Sequence, residues 1–168
     1  MSKKILYVDM DNVIVDFPGA LEHVRADLKS RYKGDEDEIP GIFGLMKPMP
    51  NAVEALKELA ELFDLYILST APWKNSSAWS DKLEWVHKYL GFSEDDFVHK
   101  RLILSHHKNL NIGDFLVDDR PNNGAREFTG EWVHFGDGID LKGGPCKDHA
   151  EHPYTDWIKT LEYLRSKA

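Results

Sequence analysis

The chain has a single cysteine, Cys146, so no disulfide can form within it. That count favours a reducing compartment, and we expect a cytoplasmic protein. The sequence also lacks any apolar run approaching the roughly 18 residues of a membrane-spanning helix. Residues 1–5 run directly into an apolar segment and leave no space for a signal peptide. We therefore expect neither a membrane partner nor secretion.

Basic residues are outnumbered, since 21 lysines and arginines against 29 aspartates and glutamates give a formal net charge of -8. Binding of a nucleic-acid polymer depends on basic surface that displaces counterions, so this balance argues against such a partner. It does not argue against a small anionic substrate, because a metal ion and one or two lysines can set the field of a site. With 168 residues, 30% charged and 42% hydrophobic, we expect one globular domain.

Short apolar segments alternate with amphipathic ones. The predicted strands span residues 5–8, 65–68, 98–104, 115–117 and 132–135. The predicted helices span residues 17–32, 50–63, 81–90 and 157–164. This alternation predicts an α/β fold, a Rossmann-like three-layer sandwich with a five-stranded, mainly parallel sheet and helices on both faces. Residues 39–50 are apolar and proline-rich, which favours either a lid over the core or a cap over a substrate pocket.

Two carboxylates, Asp9 and Asp11, stand where the first apolar run ends. Carboxylates this close are costly to place together beside a buried strand unless a positive charge lies between them, and a divalent cation would supply it. One of the pair could then attack a phosphorus atom while the other handles a proton. For an isolated pair of this kind, a solvated acidic turn is the alternative.

Further polar clusters follow three later strands: Ser69 and Thr70, then Lys108, then Asp118 and Asp119. Because the carboxyl ends of parallel strands meet at one edge of a sheet, all of these should converge on one crevice. Carboxylates there suit Mg²⁺, which prefers hard oxygen ligands and bridges to phosphate. A hydroxyl and an ammonium group can bind phosphate oxygens and offset the charge of phosphoryl transfer. We also expect Lys108 to pair with Asp9 and keep it ionised.

In this order the clusters resemble the four motifs of the haloacid dehalogenase (HAD) superfamily of phosphotransferases. The matching segments are Asp9-Met-Asp-Asn-Val13, Leu65-Tyr-Ile-Leu-Ser69, Lys108, and Phe115-Leu-Val-Asp-Asp119. Within the superfamily the chain is similar to the 5′(3′)-deoxyribonucleotidase group. The segments that show this similarity are Asp9 to Phe17 and Asp118-Asp-Arg-Pro121. The similarity to the bacterial members of the group lies in Phe135-Gly136 and Tyr154-Thr-Asp-Trp157.

The resemblance implies a HAD-like domain over residues 1–168 with a small cap insertion at about 17–49. It also implies a Mg²⁺-dependent phosphomonoesterase, a 5′-nucleotidase that dephosphorylates (deoxy)nucleoside monophosphates through an aspartyl-phosphate intermediate. Its substrate partner would be a small phosphorylated molecule.

The resemblance also assigns roles to individual residues. Asp9 would be the nucleophile, and Asp11 the general acid and base that also gives its backbone carbonyl to Mg²⁺. The acids Asp118 and Asp119 would complete the metal site. Ser69, Thr70 and Lys108 would bind the phosphate.

Two departures from the family pattern affect what is expected. Asn12 stands where many relatives have glycine, so we expect left-handed backbone there, which asparagine tolerates. The segment before residue 50 is short, so the cap is reduced and the preferred base, sugar and phosphate position stay open. Phe17 and Phe43 are candidates for contacts to a nucleobase, with core packing as the alternative for both.

Other interpretations are weaker. A phosphatase of another small phosphorylated metabolite fits the same motifs. A phospho-accepting receiver module uses similar residues, but there the acidic pair comes first and the lysine last. Cys146, His149 and His152 have ligand-type spacing for zinc, but a solvated surface loop is favoured. Both a monomer and a homodimer are compatible with the sequence.

Overall fold

The computed structural model describes residues 2–136 and 154–168. A five-stranded sheet forms its centre, built from β1 (Ile5–Val8), β4 (Asp64–Ser69), β5 (Leu102–Leu104), β6 (Phe115–Asp118) and β7 (Glu131–His134). The strand order is β5-β4-β1-β6-β7, and every pair is parallel. The predicted α/β fold with a parallel five-stranded sheet is confirmed.

Within residues 2–136 and 154–168, five α-helices accompany the strands. They are α1 (Phe17–Glu22), α2 (Ala26–Arg31), α3 (Ala52–Leu62), α4 (Ser77–Tyr89) and α5 (Trp157–Arg165). No helix among the described residues is long and apolar enough to cross a membrane.

Three predicted elements are divided or shifted by four residues at one end. The helix expected over 17–32 is divided in two, because Arg25 is extended (ψ 144°) and the turn before it directs Val24 into the core. Helix α4 begins at Ser77, four residues before its predicted start. The strand expected over 98–104 is limited to Leu102–Leu104, since Val98 and Arg101 form a turn in which the Arg101 N–H donates to the Val98 carbonyl at 3.0 Å.

The two faces of the sheet carry separate apolar clusters. Successive strand residues point to opposite faces, so Leu6 and Val8 join the larger cluster while Tyr7 joins the smaller one. Helices α3, α4 and α5 all contribute buried residues to the larger cluster. The other face is covered by Ala125 and Phe128, from the turn-rich segment between β6 and β7. The helices expected on this second face are therefore not found among the described residues.

The segment between β1 and α3 forms a compact insertion. Its two ends pair as a small antiparallel sheet of β2 (Val15–Asp16) and β3 (Lys47–Pro48). Between them lie α1, α2 and two 3-10 helices, Glu36–Glu38 and Ile42–Leu45. The indole N–H of Trp85 donates to the carbonyl of Met46 at 3.0 Å and so fastens the insertion to α4.

Candidate active site

The polar clusters lie together at the carboxyl end of the sheet. Asp9 follows β1, while Ser69 and Asp118 end the two neighbouring strands, β4 and β6. Lys108 begins a 3-10 helix, and its backbone N–H donates to the carbonyl of Asn123 at 2.7 Å. The strand order therefore places these side chains around one point.

Asp9 is buried and forms the expected pair with Lys108. The ammonium Nζ lies 2.9 Å from Asp9 Oδ1 and also donates to Asp118 Oδ2. Burial alone would raise the pKa of Asp9, but the charges of Lys108 and Lys82 outweigh it and hold the pKa below its ordinary value. The side chain is thus kept as a carboxylate, which is the form that can act as a nucleophile.

Asp11 is bound by a second buried lysine, Lys82 of α4, which lies outside the four sequence motifs. Lys82 Nζ donates to both carboxylate oxygens of Asp11 at 2.8 Å and to Ser69 Oγ at 3.0 Å. Burial raises the pKa of Asp11 against the pull of Lys82, and the charge of Asp9 adds to the rise. Asp11 therefore holds a proton more readily than Asp9 does.

Helical spacing is the signal that could have identified Lys82. The buried residues of α4 are Ala78, Lys82, Trp85 and Val86, so the lysine occupies one position of an otherwise apolar stripe. The adjacent Leu83 is apolar and would suit an inward position better by residue type, but its side chain is 43% exposed. A lysine on an apolar helix face requires a paired carboxylate, and the fold supplies Asp11 from the loop after β1.

The loop that carries Asp11 is held by its own backbone. The carbonyl of Met10 accepts hydrogen bonds from the N–H groups of residues 13–15 at 2.9–3.1 Å. Asn12 has the expected left-handed conformation, with φ 59°. Its side-chain Nδ2 donates to Asp119 Oδ2 at 3.1 Å, so the residue at the departure from the family pattern connects two acidic clusters.

Asp9, Asp118 and Asp119 form a group that could bind a metal ion, with one carboxylate oxygen of each within 4.8 Å of the others. Asp119 Oδ1 is buried and accepts no hydrogen bond from the described residues. Arg120 Nε lies 3.7 Å from the other oxygen, Oδ2. An unsatisfied buried carboxylate oxygen beside two further acids matches the hard oxygen ligands that a divalent cation prefers.

The raised pKa values of Asp118 and Asp119 also favour a cation site. Burial raises the pKa of Asp119 to about 8, with the charge of Asp118 adding to the rise and Arg120 opposing it. Burial likewise raises the pKa of Asp118 to about 6, against the pull of Lys108. The carboxylates destabilise one another as anions, which a bound cation would relieve.

Strand β7 fixes the backbone of this acidic pair. The indole N–H of Trp132 donates to the carbonyl of Asp118 at 3.1 Å. The imidazole Nε2 of His134 lies 2.9 Å from the carbonyl of Asp119. Both acids are thereby oriented by a neighbouring strand as well as by their own.

The predicted phosphate ligands lie at different depths. A small cavity of about 20 Å³, large enough for one water-sized occupant, lies between the acids. It is lined by Asp9, Asp11, Thr70, Lys108, Asp118, Arg120, Asn122 and Asn123. Thr70 lies on its wall and donates its hydroxyl to the carbonyl of Ser105 at 2.7 Å. Ser69 is not on the wall, because its side chain is fully buried against Lys82.

A larger cleft of about 590 Å³ opens beside this cavity and shares Asp11, Arg120 and Asn122 with it. Phe17 and Leu21 line it on the α1 side. Four consecutive acidic residues, 35–38, line it on the other side.

The structure separates the two aromatic candidates. Phe17 lines the larger cleft, but Phe43 does not. Both residues are buried, with Phe17 3% and Phe43 2% exposed, and their ring centroids lie 6.0 Å apart. The ring of Phe43 also lies 4.5 Å from Lys82 Nζ. Phe43 is therefore placed in the core under the site. The residues Cys146, His149 and His152 lie outside the described residues.

Comparison with known proteins places the chain among phosphatases. Residues 36–142 match the family model described as 5′ nucleotidase, deoxy (Pyrimidine), cytosolic type C protein. The "putative HAD-hydrolase YfnB" of Bacillus subtilis, in a structure described as bound to magnesium, has the same fold with a TM-score of 0.59. That similarity covers 98% of this chain and 100% of the other at 15% identity.

Relatives in sequence are closer. A "Putative 5′(3′)-deoxyribonucleotidase" of Vibrio phage KVP40 is 47% identical over 165 residues, which cover 98% of this chain and 86% of the relative. A protein of the same name from Staphylococcus aureus is 30% identical over 80% of this chain and 83% of its own length. With the family match spanning more than half of its residues, this chain belongs to the 5′-nucleotidase family of type C within the HAD fold.

Proposed function

We propose that the protein is a Mg²⁺-dependent phosphomonoesterase that dephosphorylates (deoxy)nucleoside 5′-monophosphates through an aspartyl-phosphate on Asp9. The observation that carries this proposal is the pairing of Asp9 with Lys108 beside Asp11. A nucleophile needs an ionised carboxylate and a proton donor needs a protonated one. The opposite pKa shifts of Asp9 and Asp11 fit that division of roles.

Asp9, Asp118 and Asp119 fit a Mg²⁺ ion, since Asp119 Oδ1 is left without a hydrogen-bond donor among the described residues. We assign the metal site to these three acids and to the backbone carbonyl of Asp11. When bound, the ion supplies positive charge that offsets the phosphate and lets a carboxylate approach phosphorus.

In the first step an oxygen of Asp9 attacks phosphorus, and the bond between phosphorus and the nucleoside oxygen breaks. Asp11 gives its proton to that leaving oxygen, so the nucleoside departs as an alcohol. The side chain of Lys108 stays between Asp9 and Asp118 and offsets the negative charge around the reacting centre.

In the second step Asp11, now a carboxylate, takes a proton from a water molecule whose oxygen attacks the aspartyl-phosphate. The bond between phosphorus and Asp9 breaks, which releases inorganic phosphate and restores the Asp9 carboxylate. Asp11 ends the cycle protonated, as it began. The two acids thus serve both steps in complementary roles.

We assign the binding of phosphate oxygens to Thr70 and Lys108, which is supported by their position in the lining of the cavity beside Asp9. We propose that Ser69 contributes indirectly, because its hydroxyl oxygen accepts a hydrogen bond from Lys82 and does not line the cavity. We propose that residues 17–49 act as a cap and that the nucleoside occupies the larger cleft, with Phe17 against the base. The names of the relatives support a deoxyribonucleotide.

A hydrolysis screen tests this function. Deoxy- and ribonucleoside 5′- and 3′-monophosphates, together with non-nucleotide phosphate esters, are incubated with the protein and Mg²⁺, and released phosphate is measured. We expect the deoxynucleoside monophosphates to give the highest kcat/KM. Hydrolysis of only non-nucleotide esters would reject the substrate, and phosphate release from none would reject the function.

Two variants test the chemistry. Asp9→Asn should lose turnover by several orders of magnitude, because an amide cannot form the phosphoenzyme. Asp11→Asn should also lose turnover but accumulate acid-quenched phosphoenzyme from a good leaving group, since breakdown lacks its base. Glu127→Gln, at an exposed acid, is the matched control. Near-normal turnover in Asp9→Asn would overturn the assignment.

A further inference from the structure

We infer that Lys82 is the positioning residue for Asp11: it holds the acid between α4 and Ser69 in the orientation that proton transfer to the leaving group requires. This role rests on the proposed function and extends it to a residue outside the four motifs. Lys108 serves the nucleophile, and Lys82 serves the acid.

Lys82 is fully buried and holds the Asp11 carboxylate by two hydrogen bonds, an arrangement that we call the clamp. The side chain is 0% exposed, and its Nζ donates to Asp11 Oδ1 and Oδ2 at 2.8 Å each. A third hydrogen bond, at 3.0 Å, goes to Ser69 Oγ. These three acceptors use all three N–H groups of the ammonium. The ring of Phe43 closes the remaining side at 4.5 Å from Nζ.

Such an arrangement is costly as a purely structural feature. A buried ion pair seldom stabilises a fold more than well-packed apolar residues of the same volume would. The other buried residues of α4 are apolar: Ala78, Trp85 and Val86. A methionine in place of Lys82 would therefore continue the apolar face of the helix. A lysine at this position is explained by the site it faces, where Asp11 lines the cavity that Asp9 and Lys108 also line.

The clamp fits the proton transfers of Asp11. When the carboxyl is protonated, the oxygen that carries the proton turns to the leaving group and the other oxygen keeps its bond to Lys82. When the carboxyl is ionised, both oxygens accept from Lys82 as observed. Ser69, fully buried at the end of β4, accepts the third hydrogen bond of the Lys82 ammonium.

The test compares substrates that differ in their need for an acid. A deoxynucleoside 5′-monophosphate loses an alkoxide and requires protonation, whereas p-nitrophenyl phosphate loses a stable phenolate and requires little. For both substrates kcat/KM reports the steps up to the phosphoenzyme. We expect Lys82→Met to lower kcat/KM about 10³-fold for the nucleotide and at most about 10-fold for the aryl ester, in line with the usual contribution of a positioned acid.

Lys88→Met is the matched control. Lys88 lies on the same helix, and its Nζ is 4.8 Å from the ring of Tyr89, but its side chain is exposed. Both kcat/KM values should stay within about twofold of those of the unchanged protein. Equal losses on the two substrates in Lys82→Met would overturn the positioning role, because a general disturbance of the site does not discriminate between leaving groups.

Removing Lys82 leaves the Asp11 carboxylate buried and unpaired, which is itself costly. The single variant is therefore compared with a double variant that lacks both charges. In Asp11→Asn the further change Lys82→Met should cost less than threefold in kcat/KM for the aryl ester, because the lysine acts through the acid. A further loss above tenfold would show an independent role and reject the inference. If the unchanged protein hydrolyses neither substrate, the proposed function fails, whereas hydrolysis of both with equal losses in Lys82→Met rejects only the clamp.

Discussion

The indole N–H of Trp157 donates a 2.7 Å hydrogen bond to the backbone carbonyl of Val13. Trp157 is the first residue of α5, and Val13 lies in the loop that carries Asp11. The last helix of the chain is therefore tied directly to the loop of the first motif, 144 residues away in sequence.

This bond gives the first prediction. Trp157→Phe keeps an aromatic ring in the core but leaves the Val13 carbonyl without its donor, which should lower the free energy of unfolding by about 1–3 kcal/mol. We also expect a lower kcat, because the loop that carries Asp11 loses the hydrogen bond that holds Val13 to α5. Trp79→Phe, at a partly exposed indole on α4, is the control. Urea unfolding and nucleotide hydrolysis check both effects. An unchanged kcat would mean that the hydrogen bond stabilises the fold but does not position the Asp11 loop.

The second prediction concerns metal binding and pH. The pKa of Asp119 is raised to about 8 in the folded protein, above its ordinary value near 4. A raised acid pKa stabilises the fold below the unfolded pKa, and that contribution is lost as pH rises towards 8. The metal-free protein should therefore lose stability between about pH 4 and pH 8. Mg²⁺ requires the ionised acids, so it should restore that stability progressively over the same range.

Thermal unfolding checks this directly. The rise in Tm on adding Mg²⁺ should be larger at pH 8 than at pH 5, and EDTA should abolish both the rise and the hydrolysis. Asp119→Asn removes the titrating group and should give a metal-free Tm that depends less on pH. Full activity in EDTA, or a Tm that Mg²⁺ leaves unchanged at pH 8, would contradict the metal site.

Much of the site could be predicted because each of its motif residues follows an apolar run. Asp9 and Asp118 end buried strands, and parallel pairing then brings them to one edge whatever the details of the loops. Lys82 gives no such signal. Its partner Asp11 is 71 residues away, and only the packing of α4 on the sheet brings them together. By residue type the apolar Leu83, one position away, is the better candidate for the buried face, yet it is 43% exposed.

The insertion was harder to predict for a related reason. Its apolar residues are real core residues, but a spacing pattern does not say whether they pack on the sheet or on a ligand. Phe17 and Phe43 looked equivalent in sequence, yet one lines the cleft and the other lies under Lys82. Phe17 lies in α1 and Phe43 in the second 3-10 helix, and only the packing of the folded insertion distinguishes their positions.

The third prediction separates these two rings. Phe43→Ala should lower the free energy of unfolding by about 3–5 kcal/mol and reduce the hydrolysis of nucleotides and of p-nitrophenyl phosphate together. Phe17→Ala should also destabilise the fold, but it should raise KM for nucleotides about 10-fold while KM for the aryl ester changes little. Melting curves and the two KM values distinguish the outcomes. A nucleotide-specific rise in KM for Phe43→Ala would place that ring in the pocket after all.

The last prediction follows from the acidic wall of the larger cleft. Residues 35–38 are Asp-Glu-Asp-Glu, and all four line the cleft in which we place the nucleoside. An uncharged nucleoside tolerates such a wall, whereas a further phosphate group would be repelled by it. Two unit charges about 8 Å apart repel by about 0.5 kcal/mol in water, so even an exposed wall of four acids discriminates measurably at low salt.

We therefore expect nucleoside diphosphates to bind more weakly than monophosphates, and the double variant Asp35→Asn/Asp37→Asn to reduce this difference. Removing two charges should lower the inhibition constant of a deoxynucleoside diphosphate about fivefold at low salt, with little change in KM for the monophosphate. The gain should fade at high salt, because these charges lie in solvent contact. Glu61→Gln, at an exposed acid on α3 outside the cleft, should have no such effect. Equal changes for both ligands, or a gain that persists at high salt, would mean that the wall does not select by charge.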